Sequence, residues 1–193
     1  YSSLSGIFRH IPGGLLHTNI AVCTVFGAIS GSSLSTAAAV GSVAYPEMSK
    51  RNYDEPMIVG SLAGGGTLGL LIPPSLSLLI YGALTETSIG KLFLGGILPG
   101  VLMAVLFMVY ILIRCTKNPK LWNSDSSNEV KTNSPIIDFL KIWPVAFLII
   151  AVMGSIVLGI ATPTEAAGVG VISSLILGLL WGDLSKEKIF KCF

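Results

Sequence analysis

Long stretches without an acidic or basic side chain alternate with short charged islands, and this spacing constrains the fold more than any motif. No Asp, Glu, Lys or Arg occurs between Arg9 and Glu47, between Glu55 and Glu86, between Lys91 and Arg114, between Lys141 and Glu165, or between Glu165 and Asp183. Several of these runs reach the roughly 20 apolar residues that cross a bilayer. Only 11% of the 193 residues are charged, against roughly 25% in soluble domains. The expected fold class is therefore an all-α integral membrane protein. A net charge of +2 with scattered basic residues leaves no nucleic-acid footprint. Cys23, Cys115 and Cys192 stand far apart, with neither a C-x-x-C pair nor zinc-site spacing, and read as packing residues. The chain opens without Met or a signal peptide and reads as a piece of something longer.

The charge-free runs are of two kinds. Residues 92–113 and 142–161 are uninterrupted and fit plain membrane helices, and 164–182 makes a third, slightly short. Thr162-Pro163-Thr164-Glu165 places Thr at the N-cap, Pro at the first helical position and Glu at the third, which is a capping box. Glu165 is thereby read as a cap rather than a chemical acid.

Residues 10–46 are too long for one helix and are interrupted by Ser30-Gly31-Ser32-Ser33. The arm from Ser35 to Pro46 would rise only about 18 Å at 1.5 Å per residue, short of the ~30 Å hydrocarbon core. The simplest structure is a re-entrant hairpin: a helix over 15–29, a turn at the Ser/Gly tip and a return to the same side. Residues 56–85 carry Gly64-Gly65-Gly66-Thr67 and Ile72-Pro73-Pro74-Ser75. Two adjacent prolines remove two backbone donors and stop a helix, so two half-helices, about 57–68 and 75–84, are expected to cross once between them.

With that topology, eleven of the twelve Lys and Arg fall on one face and only Lys91 lies opposite, as the positive-inside rule asks of a cytoplasmic side. The polar segment from Lys117 to Pro135 reads as a mobile cytoplasmic linker, and Ile136 to Trp143 as a short interfacial helix. Trp143 and Trp181 suit an aromatic belt or helix packing. The expected organisation is residues 1–116 as hairpin, broken helix and following membrane helix, 117–142 as linker, and 143–193 as a further membrane segment.

Irregular backbone cannot face lipid, because each unsatisfied polar group costs several kcal/mol there. A hairpin beside a broken helix is an arrangement secondary transporters use, with half-helix N-termini turned to an anion and unwound carbonyls to a cation. Ser32 or Ser33 would cap the returning arm, and Pro73, Pro74 and Ser75 would open the outer half-helix. These five residues are the candidate substrate-binding set. Close helix packing by small residues is the competing explanation.

Phe26-Gly27-Ala28-Ile29-Ser30-Gly31-Ser32-Ser33 with Thr36-Ala37-Ala38 and Pro46, then Gly69-Leu70-Leu71-Ile72-Pro73-Pro74-Ser75, Tyr81-Gly82, Leu94-Gly95-Gly96-Ile97-Leu98-Pro99-Gly100 and Thr162-Pro163-Thr164-Glu165-Ala166-Ala167 resemble, in that order, the large membrane subunit of TRAP (tripartite ATP-independent periplasmic) transporters. The resemblance implies a multi-pass protein of the bacterial inner membrane that carries an organic acid, a dicarboxylate or a sialic-acid-like compound, inward with sodium. Its implied partners are a periplasmic substrate-binding protein and a small membrane subunit. It also implies inverted repeats, with the first repeat and the start of the second present here. Leu34-Ser35-Thr36 follows the hairpin serines where relatives often carry an acidic residue, so no carboxylate role is assigned to this hairpin.

Sodium, a hard cation, prefers oxygen ligands. The expected cage is Ser30, Gly31, Ser32 and Ser33 at the tip with Gly65, Gly66 and Thr67 of the broken helix. Neither cluster holds Asp or Glu, so helix dipoles and the substrate's charge must help, and proton relay is disfavoured. No catalytic residue and no organic cofactor is assigned. An intramembrane enzyme using Ser32 or Ser33 would need His17 as base, and His17 lies about 22 Å from the tip along a helix. A structural or channel subunit would give flux without sodium coupling.

Overall fold

The protein is described by a computed structural model covering Phe8, residues 11–122 and residues 143–181. All regular structure among these residues is helical. Two compact units divide at residue 142. The first contains α1 (Gly14–Ser30), α2 (Ser33–Lys50), α3 (Glu55–Leu71), α4 (Leu76–Leu84), α5 (Ile89–Lys117) and a short 3-10 turn, Pro119–Leu121. The second contains α6 (Trp143–Val157) and α7 (Pro163–Trp181). Glu55–Leu84, counted through its break, and Ile89–Lys117 are long and apolar enough to span a membrane.

Residues 10–46 form the expected hairpin, with one correction. Its second arm does not stop at Pro46 but continues to Lys50, 18 residues in all, or about 27 Å at 1.5 Å per residue. Pro46 removes one donor, yet the last turn is held from outside: Met48 is fully buried, Arg51 pairs with Glu47 at 2.6 Å, and the Tyr45 hydroxyl donates to Glu55 Oε1. Length thus does not by itself argue for a re-entrant arm. The buried Asn19 amide, in the second turn of α1, donates to Met48 Sδ at 3.1 Å in the last turn of α2. The two arms therefore run antiparallel, with both outer ends at one level.

α3 lies in the cleft of this hairpin, and small side chains set its distance. Asn19 Nδ2 donates to Ser61 Oγ at 3.0 Å, a Cβ on Gly65 would lie 2.9 Å from Cys23, and a Cβ on Gly27 would lie 2.8 Å from the Gly69 Cα. These three pairs advance four residues at a time on both helices, so α1 and α3 are parallel and in register. Against α2 the order reverses: Gly66 faces Ala37 and Gly41 faces Leu62. Helices this close need small residues, because association inside lipid rests on packing rather than on a hydrophobic drive. Below this seam Leu16, Ile20, Met48, Ile58, Ile111 and Cys115 form the buried core.

The break falls where two prolines predict it. α3 ends at Leu71, Ile72 to Ser75 are irregular with a cis Pro73-Pro74 bond, and α4 begins at Leu76. Pro74 cannot donate to the Leu70 carbonyl, and the Ser75 hydroxyl does so instead at 2.6 Å. α5 extends the expected 92–113 span at both ends, taking in Lys91, Arg114 and Lys117.

The linker reading is corrected at its start. Residues 119–121 form the 3-10 turn, Leu121 and Trp122 pack against the core, and the Leu121 carbonyl accepts the Asp54 amide at 3.2 Å. The rest of the linker, the interfacial helix up to residue 142, Arg9, His10, the Trp181 side chain and residues 182–193 lie outside the described residues.

In the second unit the 142–161 run is not one helix. α6 stops at Val157, 15 residues being about 22 Å. Gly159 takes φ 70°, its amide bonds to the Ile156 carbonyl at 3.1 Å and the Ile160 amide to the Ser155 carbonyl at 3.0 Å, a Schellman C-cap. The capping box of α7 is present: the Thr162 amide donates to Glu165 Oε2 at 2.8 Å and the Glu165 amide to Thr162 Oγ1 at 3.4 Å. A Cβ on Gly170 of α7 would lie 3.2 Å from Val152 of α6.

Candidate functional site

Because α1 and α3 run parallel and in register, they end at one level, α1 at Ser30 and α3 at Leu71. α2 and α4 start there. Four helix termini thus converge: two C-terminal ends that leave carbonyls without donors and two N-terminal ends that leave amides without acceptors.

The tip is built around Gly31. It closes α1 with φ 59°, and its amide donates to the Gly27 carbonyl at 2.8 Å. A Cβ there would lie 3.1 Å from the Pro74 carbonyl oxygen and 3.3 Å from the Leu76 nitrogen, so left-handed backbone and close approach both require glycine. The Gly31 carbonyl accepts the Leu76 amide at 3.4 Å. Hairpin tip and broken helix are therefore joined backbone to backbone.

Ser32 is the N-cap of α2, its side chain accepting from the Ser35 amide. Its carbonyl accepts the Thr36 amide at 3.1 Å, the Thr36 hydroxyl at 2.7 Å and the Ser30 hydroxyl at 3.3 Å. Ser30 Oγ and Thr36 Oγ1 are 2.8 Å apart. Thr36 is fully buried, and a Cβ on Gly69 would lie 2.9 Å from both Ser32 O and Thr36 Oγ1. On the other side of the break, the buried Ser75 caps α4, accepting the Leu78 amide at 3.4 Å.

The structure brings together seven of the residues expected from sequence: Ser30, Gly31, Ser32, Ser33, Pro73, Pro74 and Ser75. The other three lie on α3. Gly65 is inside the helix on the seam against Cys23, and Gly66 packs against Ala37 with a Cβ position 3.1 Å from the Ser33 carbonyl oxygen, so it adjoins the tip. Thr67 is exposed, its hydroxyl donating to the Gly64 carbonyl at 2.6 Å. Thr36 and Gly69 belong to the cluster and were not expected there. Their available signals were Thr36 four residues after the cap and Gly69 four residues before Pro73, the proline that leaves the Gly69 carbonyl without its helical donor.

The two N-termini differ. At α4 the Leu76, Leu78 and Leu79 amides have acceptors within the protein and only the Ser77 amide has none among the described residues, whereas at α2 Ser35 and Thr36 have acceptors and both Ser33 and Leu34 have none. Leu34 is 81% exposed. Acceptance of an anion is thus more open at the hairpin than at the break. His17 lies at the far end of α1, buried, with Nε2 donating to the Pro12 carbonyl at 3.0 Å, and cannot serve the tip serines as a base. No group of three or more His, Cys, Asp or Glu able to hold a metal occurs among the described residues, and the oxygens that gather at the tip are neutral hydroxyls and carbonyls.

Sequence comparison places this geometry among known proteins. Residues 2–193 match the family described as "Tripartite ATP-independent periplasmic transporter, DctM component". The chain is 39% identical over 173 residues to the C4-dicarboxylate TRAP transporter large permease protein DctM of Pseudomonas aeruginosa, covering 88% of this chain and 39% of that protein. It is 37% identical over 173 residues to the ectoine/5-hydroxyectoine TRAP transporter large permease protein UehC of Ruegeria pomeroyi, covering 89% and 39%. To the sialic acid TRAP transporter large permease protein SiaM of Vibrio cholerae it is 35% identical over 178 residues, covering 92% and 41%. The chain spans about two fifths of the length of these relatives.

Proposed function

This chain belongs to the family of tripartite ATP-independent periplasmic transporters, DctM component, and on that premise we propose that it supplies half of the binding site of a sodium-coupled importer of organic acids in the bacterial inner membrane. It is a permease segment, not an enzyme. The observation that supports the coupling is the convergence of four helix termini at one level. The C-terminal ends of α1 and α3 each act as about half a negative charge and the N-terminal ends of α2 and α4 as about half a positive one. Oxygens of Ser30, Gly31 and Ser32 with the Gly69 carbonyl form the cation side. The open amides of Ser33 and Leu34 form the anion side, with Pro73, Pro74 and Ser75 holding the break against the tip.

The cargo is an organic acid of the kinds named for the relatives, which include C4-dicarboxylates and sialic acid. The partners are a small membrane subunit and a periplasmic substrate-binding protein. The remainder of the full-length protein, with a second repeat inverted relative to this one, completes the site.

The test is uptake of labelled organic acids by the full-length protein in vesicles, with and without a sodium gradient and with and without the binding protein. Uptake that needs both supports the reading. Flux that ignores sodium makes this a channel-type subunit.

A further inference from the structure

A groove of about 570 Å³ runs along the outside of the first unit between α3 and α5, with Ile20 of α1 behind it. Its floor on α3 is formed by Gly60 and Gly64, and its far wall by Leu106, Phe107 and Ile111 of α5. From Asp54 to Gly64 it follows α3 for about 15 Å at 1.5 Å per residue, half of the ~30 Å hydrocarbon core and hence the depth of one leaflet.

The mouth differs from the floor. Asp54 and Arg114 both line it, with Tyr110 one turn above Arg114 on the same row of α5. The Arg114 guanidinium has no ion-pair or hydrogen-bond partner among the described residues. Asp54 uses one oxygen, Oδ2, to cap α3 through the Met57 amide at 3.3 Å. The two opposite charges flank the mouth without pairing with each other. Lys50, Arg51 and Lys117 are at the same end of the unit, which is where membrane proteins meet headgroups on the basic side.

An apolar trough one leaflet deep, with a cation and an anion at its mouth, matches an amphiphile that carries both signs in its head. We propose that this groove seats one zwitterionic phospholipid, an acyl chain lying over Gly60 and Gly64 and the headgroup placed with its phosphate at Arg114 and its ammonium at Asp54. Charge complementarity selects this occupant. A purely anionic lipid would leave the Asp54 carboxylate facing like charge. The floor beside Gly60 is unfilled, a Cβ there meeting nothing within 4 Å, and a helix packed on Gly60 and Gly64 is the competing occupant that the experiment separates. The inference rests on the membrane reading and not on sodium or cargo.

The experiment uses delipidated full-length protein titrated with phosphatidylethanolamine, phosphatidylglycerol or free phosphoethanolamine, with bound lipid counted by native mass spectrometry. Phosphatidylethanolamine is expected to bind one per protein, and free phosphoethanolamine not at all. Gly60→Leu places a side chain over the trough from a Cβ position that meets nothing within 4 Å, and should weaken binding about tenfold, the effect of excluding roughly two methylenes from burial. Gly95→Leu puts the same side chain on α5 with equally open surroundings and should change nothing. Arg114→Gln should weaken both lipids. Asp54→Asn keeps a capping side chain and should erase the preference for phosphatidylethanolamine over phosphatidylglycerol. Equal binding of the two lipids by the unaltered protein, binding untouched by Gly60→Leu, or loss of subunit assembly with Gly60→Leu in place of lipid loss would each overturn the proposal, the last by showing that another helix occupies the groove.

Discussion

Gly27 and Gly69 meet with no side chain between them, a Cβ on the first falling 2.8 Å from the Cα of the second. The contact is backbone against backbone, so no rotamer change can relieve an added methyl group. Gly27→Ala gains about 1 kcal/mol of helix propensity and meets an overpacking cost of about 1 to 3 kcal/mol. The full-length protein carrying it should melt at lower temperature in detergent, while Gly95→Ala, whose Cβ meets nothing within 4 Å, should melt slightly higher. Equal melting of the two would mean that α1 and α3 separate readily.

Thr36 separates the ion site from its surroundings more cleanly than the serines do. Thr36→Val keeps the shape and removes the hydroxyl that bonds Ser32 O at 2.7 Å and Ser30 Oγ at 2.8 Å. Half-maximal uptake should then need about fivefold more sodium, the scale of one net hydrogen bond. Thr67→Ala should leave the sodium dependence where it is, since that hydroxyl is tied to its own helix. A larger effect at Thr67 than at Thr36 would move the site along α3.

Ser75 replaces what proline takes away. Ser75→Ala leaves the Leu70 carbonyl without its 2.6 Å donor and the Leu78 amide without its cap. Losing the cap alone costs about 1 kcal/mol, and leaving the part-buried Leu70 carbonyl without its donor costs about 1 kcal/mol more. Hydrogen exchange at residues 76–79 should accelerate while α5 is unaffected, and uptake should fall. Unchanged exchange would show that the break is held by its neighbours alone.

The ends of α5 test orientation. Single cysteines replacing Glu86 and Asn118, both exposed and at opposite ends of Ile89–Lys117, should label from opposite sides, with Asn118 cytoplasmic. The background lacks Cys23, Cys115 and Cys192, so that only the introduced thiol reacts. Labelling of position 118 by an impermeant periplasmic reagent would invert the topology.

Local breakers made the hairpin and the broken helix legible from sequence, because Ser/Gly at the tip and Pro-Pro at the break act on the backbone wherever the chain goes. The same local reasoning overreached at Pro46, where contacts from Met48 and Tyr45 carry the helix one turn further. It missed Gly159, since a glycine in an apolar run looks like packing until its φ is known. The rows Asn19, Cys23, Gly27 and Ser61, Gly65, Gly69 are visible at four-residue spacing, but nothing local says that they face each other. For that reason the packing of Gly65 on Cys23 and of Gly66 on Ala37 and the Ser33 carbonyl was not visible, and Thr36 and Gly69 went unassigned.

The meeting of two helix ends with two helix starts has a consequence for leakage. The four half-charges, about −0.5 twice and +0.5 twice, cancel, so the backbone field where these ends meet is balanced. A lone cation or a lone anion entering it would leave a net charge out of contact with water, and an uncompensated buried charge costs several kcal/mol. Arriving together, the two restore neutrality. On the proposed reading, this half of the site discourages carrying either ion by itself through its helix ends, neither the hairpin tip nor the break holding an Asp, Glu, Lys or Arg.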